Sequence, residues 1–245
     1  MELVTETVTL ATPDGSMPAY QCRPAAEGSY PALVVVMEAF GLNPHIKKVA
    51  ERFAGEGYAT IAPDLYHRFG SPIVPYDDIQ TAIGYLNQLR DGPVMAEIGA
   101  VLAHLRAQPF VGEAPVGITG FCMGGRVAFL AACHYPEIRA AVPFYGGGIA
   151  ADSPKAPINQ AEKIACPLLL FFGETDPLIP LEQVKRIEET LGRLGKRFEL
   201  KVYPGAGHGF FCDERGAYHP EAARDAWTRA VAFLEAHLKR HGAAS

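Results

Sequence analysis

The segment Pro115–Ala132, PVGITGFCMGGRVAFLAA, decides how the rest of the chain is read. It opens on Val116-Gly117-Ile118, a short apolar run of the kind a buried strand uses. It closes on Val127–Ala132, which reads as a helix packed against a sheet. Between them lies Gly120-Phe121-Cys122-Met123-Gly124-Gly125, with glycines two before and two after a cysteine. That is the Gly-x-nucleophile-x-Gly spacing of a nucleophile elbow, with cysteine at the nucleophile position. A strand that turns sharply into a helix forces the residue at the tip into a strained backbone conformation. Strand and helix then run so close that the flanking positions tolerate only minimal side chains. The tip side chain stands exposed beside the positive end of the new helix, near N–H groups able to hold an anion. The competing reading of Cys122 is a core thiol, because free cysteine is among the most buried residue types.

Composition narrows the class. The 245 residues are 49% hydrophobic and 20% charged, as in a well-packed soluble enzyme of one large or two small domains. A net charge of −5 with no basic run gives no electrostatic case for a nucleic-acid partner. Cys22, Cys122, Cys133, Cys166 and Cys212 are odd in number and lack a C-x-x-C spacing, which argues against a disulfide scaffold or a structural zinc site. No metal and no other cofactor is expected. The N-terminus has no basic region followed by an apolar core, and no apolar run reaches the length of a membrane span. The expectation is a cytoplasmic protein, monomeric or a small homo-oligomer, in the reducing setting a nucleophilic thiol needs.

Along the chain, Glu2–Leu10 alternates polar and apolar residues, Thr12-Pro13-Asp14-Gly15 makes a turn, and Met17–Arg23 resumes as a second extended segment. This predicts an antiparallel hairpin at a sheet edge. Pro31–Met37 is a continuous apolar run, as in a parallel strand covered on both faces. A helix capped by Asn43 follows, carrying Ile46, Val49, Ala50 and Phe53 inward, then a strand at Tyr58–Ala62. A Gly-, Pro- and aromatic-rich loop spans Leu65–Tyr76, and helices are expected at Asp77–Leu89 and Val94–Ala107. After the elbow come a strand at Ile138–Tyr145, a loop at Ile149–Lys163 and a strand at Cys166–Phe172. A helix at Leu181–Leu191, a strand at Arg197–Tyr203 and a helix at Ala222–Leu238 complete the chain. Strand and helix alternate after the hairpin, which predicts an α/β protein with one doubly wound, mostly parallel sheet in a single domain, residues 1–245.

In such sheets ligands sit at the carboxyl ends of the strands. Asp176 follows the run Leu168–Phe172, and His208 follows Leu200–Tyr203 in a Gly-rich turn. The chain order Cys122, Asp176, His208 is nucleophile, acid, base, with the imidazole as proton carrier and the carboxylate orienting it. Read singly, Asp176 before Pro177 is a turn or helix cap and His208 an exposed loop residue. Glu38 follows directly on the first central strand, where a carboxylate can serve as a second base for Cys122 or pair with Arg126. His45, His67, His104, His134, His219, His237 and His241 read as surface or loop residues, none at metal-ligand spacing with carboxylates.

With Glu38 after the strand, the Gly120–Gly125 elbow, Gly173-Glu174-Thr175-Asp176 and Gly207-His208-Gly209-Phe210, the chain resembles the dienelactone hydrolase family of the α/β-hydrolase superfamily over essentially its whole length. The resemblance implies an α/β-hydrolase fold and a hydrolase that opens unsaturated lactones of the carboxymethylenebutenolide type through a Cys-His-Asp triad and an acyl-cysteine. It implies that Glu38 restrains the thiol and then takes its proton, that the N–H groups of Met123 and Ala39 hold the oxyanion, and that Tyr145 lines the pocket. The family grips the substrate carboxylate with arginines, one shortly after the catalytic histidine; here the segment is apolar, with Phe210 and Phe211, while Arg215 and Arg68 lie elsewhere. Phe210 is therefore expected against a more apolar substrate. The alternatives are a broad carboxylesterase or thioesterase, and a ligand-binding fold without catalysis.

Overall fold

Strands β1 (Leu3–Thr12) and β2 (Gly15–Pro24) pair antiparallel from Leu3↔Pro24 to Thr12↔Gly15, the hairpin that the N-terminal alternation predicts. The structure, a computed structural model, describes residues 1–239. It divides into two compact units, Met1–Ile118 and the residues from Thr119 onward.

In the first unit the strand order is β1-β2-β4-β3. The apolar run at 32–36 is β3 (Ala32–Val36) and that at 59–63 is β4 (Ala59–Pro63); both are wholly buried and pair parallel. β2 also pairs antiparallel with β4, through Ala19↔Pro63 to Cys22↔Thr60. Helix α1 (Pro44–Gly55) begins as expected: the Asn43 side chain accepts from the Ile46 N–H, Pro44 fills the first turn, and Ile46, Val49, Ala50 and Phe53 are buried. Helix α2 (Ile79–Leu86) is shorter than the sequence suggests, and α3 (Asp91–Ala107) starts three residues earlier. Asp91-Gly92-Pro93 reads as a breaker, but in a first helical turn a proline gives up no hydrogen bond and an aspartate faces the favourable end of the dipole.

Strand β5 (Val116–Phe121) runs through the division, and in the second unit the order is β5-β6-β7-β8. β6 (Ile138–Phe144), β7 (Leu168–Gly173) and β8 (Phe198–Tyr203) pair parallel. Helix α4 (Met123–His134) packs on β6, and α5 (Leu181–Arg193) buries Val184, Ile187 and Leu191. Helix α6 (Pro220–Leu234) is capped by the His219 ring, and the residues expected to continue it form a π turn, Glu235–Lys239. The stretch read as a loop at 149–163 contains a 3₁₀ turn, Pro157–Lys163. The architecture is the expected α/β one, a mostly parallel sheet with an antiparallel N-terminal edge pair.

Two histidines read as surface or loop residues have buried side chains. His45 is 4% exposed on α1. The His67 ring, on a 3₁₀ turn after β4, meets the buried Glu97 carboxylate of α3 at 2.6 Å. His241 lies outside the described residues.

Candidate active site

Cys122 sits where β5 gives way to α4, with φ 57° and ψ −117°, a strained conformation for a residue carrying a Cβ. The glycine spacing has the cause anticipated for it. A Cβ on Gly120 would overlap the Gly124 carbonyl, and one on Gly125 would overlap the Phe144 carbonyl at the end of β6. The turn is pinned on both sides of the thiol: the Cys122 N–H donates to Phe144 O at 3.1 Å, and its carbonyl accepts from Gly125 N at 3.0 Å and Arg126 N at 3.2 Å. Met123 is the first residue of α4, so its N–H lies among the groups a helix cannot satisfy internally. Cys122 is partly exposed and the other four cysteines are buried. Burial pushes the Cys22 and Cys166 thiols up to about 11 and the Cys133 thiol up to about 12, which leaves them poor nucleophiles.

Asp176 and His208 come together because the turns after β7 and β8 are laced to each other. Gly173, at the end of β7, has no room for a Cβ beneath the Ala206 carbonyl, and that carbonyl accepts from Thr175 N at 2.9 Å and Thr175 Oγ1 at 3.0 Å. Glu174 Oε2 accepts from Gly205 N at 2.9 Å. Asp176, 5% exposed, divides its oxygens: Oδ1 accepts from the Leu178 N–H at 2.8 Å, closing a turn, and Oδ2 meets His208 Nδ1 at 2.8 Å. The turn role and the histidine contact are therefore both present, on separate atoms.

The His208 ring is 8% exposed. Burial alone would lower its pKa, but the neighbouring Cys122 charge, side-chain hydrogen bonding with Asp176 and Cys122, and the Asp176 charge override it and raise it to about 10. These contacts favour the protonated ring, with its Nδ1–H donated to Asp176. Nε2 is buried and makes no hydrogen bond of ordinary geometry; the Cys122 sulfur is the neighbour whose charge the ring feels.

Tyr145 and Phe210, expected to line a substrate pocket, have no exposed surface. Tyr145, at φ 36°, stands edge-on to the His208 ring with centroids 5.3 Å apart, and Phe210 packs edge-on between Tyr145 and Tyr203 at 5.2 Å from each. Phe211 stacks on Phe121 at 5.2 Å. Of these rings, Tyr145 is the one that packs against the imidazole, and Phe210 backs Tyr145. Arg215 lays its guanidinium against Gly209, the residue after the histidine, so closely that a Cβ there would overlap it. Arg68 is engaged within the first unit by Glu97 and, at 3.2 Å, by Asp14.

Also in the first unit, Glu38 is fully buried just beyond β3. Its Oε2 accepts from the Tyr76 hydroxyl at 3.4 Å, and that hydroxyl accepts from Asn43 Nδ2 at 2.9 Å. Ala39 offers its carbonyl to the Tyr66 hydroxyl at 2.9 Å. The sequence carries no signal for Tyr76, whose partners lie more than 30 positions away.

A strained cysteine at a strand-to-helix turn, with an Asp–His pair on the turns after β7 and β8, defines the α/β-hydrolase class. The dienelactone hydrolase family model matches residues 17–238. A relative from Synechocystis sp. named "Putative carboxymethylenebutenolidase" is 35% identical, the match covering 98% of this chain and 99% of that one. A Bradyrhizobium protein named "Probable 2-oxo-3-(5-oxofuran-2-ylidene)propanoate lactonase" is 32% identical over 94% of each. The crystal structure of a "Putative Dienelactone Hydrolase" from Klebsiella pneumoniae superposes with a TM-score of 0.88 at 35% identity, covering 96% of this chain and 99% of that one. The chain belongs to the dienelactone hydrolase family, and it is a hydrolase. Among the described residues no helix is long and apolar enough to cross a membrane.

Proposed function

We propose that this protein, a hydrolase of ester or lactone bonds, works through Cys122 as nucleophile, His208 as proton carrier and Asp176 as the carboxylate that orients it, on a single α/β-hydrolase domain. The observation that carries the reading is the His208 ring, held by Asp176 at 2.8 Å on one nitrogen and raised to about 10 by the cysteine beside it. A cysteine beside a histidine that favours its protonated form is a nucleophile activated by transfer of its proton to the ring, which forms an ion pair.

In the proposed sequence the Cys122 thiolate attacks the carbonyl carbon, and the oxyanion is held by the N–H of Met123 at the start of α4. The tetrahedral intermediate collapses to a thioester as His208 gives its proton to the leaving oxygen. Neutral His208 then takes a proton from water, hydroxide adds to the thioester, and collapse releases the acid and restores the ion pair. A lactone's leaving oxygen stays tethered to the acyl group, so its prompt protonation prevents reclosure. The roles of Glu38 as second base and of the Ala39 N–H as second oxyanion donor rest on the family resemblance. Tyr145 supports the imidazole edge-on, with Phe210 packed behind Tyr145.

An unsaturated lactone is the favoured substrate, on the strength of the relatives named carboxymethylenebutenolidase and lactonase. Arg215 is the proposed partner of a substrate carboxylate because its guanidinium packs beside the histidine turn. The reducing cytoplasm is the setting that keeps such a thiol usable. The test is hydrolysis of a dienelactone and of p-nitrophenyl acetate before and after iodoacetamide. The reading requires both to be thiol-dependent, with the lactone favoured in kcat/KM. Turnover that survives complete alkylation of Cys122 contradicts it, and a preference for the aryl ester moves the substrate to the broad-esterase alternative.

A further inference from the structure

The segment Glu38–Asn43 is clasped by residues 72–76 of the long loop after β4. A Cβ on Gly41, which sits at φ 86°, would overlap the Pro72 carbonyl, so the two backbones touch. Val74 N donates to Phe40 O at 3.0 Å, and the Tyr76 ring stands edge-on to Phe40 with centroids 4.7 Å apart. Phe40, Ala39, Val74 and Ala82 form a buried cluster of their own, flanked by Tyr76, Tyr85 and Leu86.

Within this clasp the direction of each hydrogen bond is fixed. The Asn43 carbonyl oxygen is taken by the Ile46 N–H at the start of α1, at 3.1 Å, so the atom facing Tyr76 is the amide NH₂. An NH₂ can only donate, so it occupies an acceptor site on the phenol oxygen and turns the phenol O–H toward Glu38 Oε2. The helix cap, the phenol and the carboxylate thus form a directed chain ending on a fully buried glutamate. We propose that Tyr76, oriented by Asn43, is a positioning residue that fixes the Glu38 carboxylate for the reaction. The proposal rests on the reading of Glu38 as a second base.

The test uses the full-length protein with p-nitrophenyl acetate. Tyr76→Phe keeps the ring packed on Phe40 and removes only the hydroxyl, and Asn43→Ser keeps a good helix cap while removing the amide donor. One lost hydrogen bond of ordinary strength, at 3.4 Å the long end of the range, predicts a fall in kcat of about 3- to 10-fold for Tyr76→Phe. KM should stay within about twofold, as for an interaction used only in the transition state. The acid limb of the kcat/KM–pH profile should move as well, which a purely structural change would not cause. Asn43→Ser should shift kcat and the profile in the same direction by less. Added to Glu38→Gln, Tyr76→Phe should change kcat by less than about twofold, because the group it positions is gone. An undiminished effect of Tyr76→Phe in the Glu38→Gln background overturns the inference, as does an unchanged Tyr76→Phe enzyme when Glu38→Gln itself is impaired. Glu38→Gln with unaltered kcat and pH profile overturns the second-base reading instead, and this inference with it.

Discussion

Replacing Asp176 by asparagine tests the division of labour in the site at one atom. Asparagine keeps a carbonyl oxygen for the Leu178 N–H, so the turn after β7 survives. Toward His208 it presents an NH₂ in place of Oδ2, across a 2.8 Å contact between residues only 5% and 8% exposed. Two losses follow. The charge-assisted bond to the imidazolium, of about 1.5–3 kcal/mol, disappears and alone lowers kcat/KM roughly 10- to 150-fold. The amide also donates to Nδ1, which stabilises the ring tautomer whose Nε2 already carries hydrogen and cannot accept a proton. In Ser-His-Asp enzymes that substitution costs about 10⁴ in kcat. A cysteine is less dependent on its base than a serine, so the expected loss in kcat/KM is roughly 10²- to 10⁴-fold. The assay is steady-state hydrolysis of p-nitrophenyl acetate, with urea unfolding of the same samples to establish that the fold is retained. A loss below about tenfold in a folded variant would refute the assignment of Asp176 as the orienting group.

Four further outcomes follow from the contacts described above. His208 should titrate near 10 by NMR in the native protein, and in Cys122→Ala its pKa should fall, because the cysteine charge is the largest contribution raising it. The stability tied to that raised value is fully present below the ordinary histidine value of about 6.5 and is lost as pH rises through 10, so the stability gap between native protein and Asp176→Asn should narrow above pH 10. Gly120→Ala drives a methyl into the Gly124 carbonyl and should cost about 1–3 kcal/mol in urea unfolding, with activity lost as the elbow shifts. Glu97→Ala strips the buried partner from His67 and Arg68 and should cost about 3 kcal/mol, read as a lowered urea midpoint; a change under about 0.5 kcal/mol would deny the cluster a structural role.

What the sequence discloses and what it hides divide along physical lines. Cys122, Asp176 and His208 are each announced as candidates by local chemistry: a strand run, then glycine, then a side chain able to react or to carry a proton. The glycines are legible because each answers a backbone collision a few residues or one strand away, Gly120 with Gly124 and Gly173 with Ala206. Features that depend on distant partners leave no such trace. His67 in a Gly- and Pro-rich loop reads as exposed, because nothing nearby in sequence signals a glutamate 30 positions on. Tyr76 reads as one more loop aromatic until the fold sets it against Glu38 and Asn43. Phe210 illustrates the converse. Its place two residues after the histidine suggests a pocket wall, yet its ring fills the space between Tyr145 and Tyr203 and sees no solvent. Apolarity beside a reactive group does not distinguish a surface offered to substrate from the packing that holds the group still.

The claim on which the account turns is that Cys122 becomes acylated during turnover. Rapid-quench mass spectrometry of the intact protein with p-nitrophenyl acetate, followed by peptide mapping, reads this directly. The account predicts an acetyl adduct within one turnover, located on the peptide containing Cys122 and decaying at the steady-state rate, with no adduct and no turnover in Cys122→Ala. Turnover that proceeds in Cys122→Ala, or an acetyl group that maps to another residue, would contradict it.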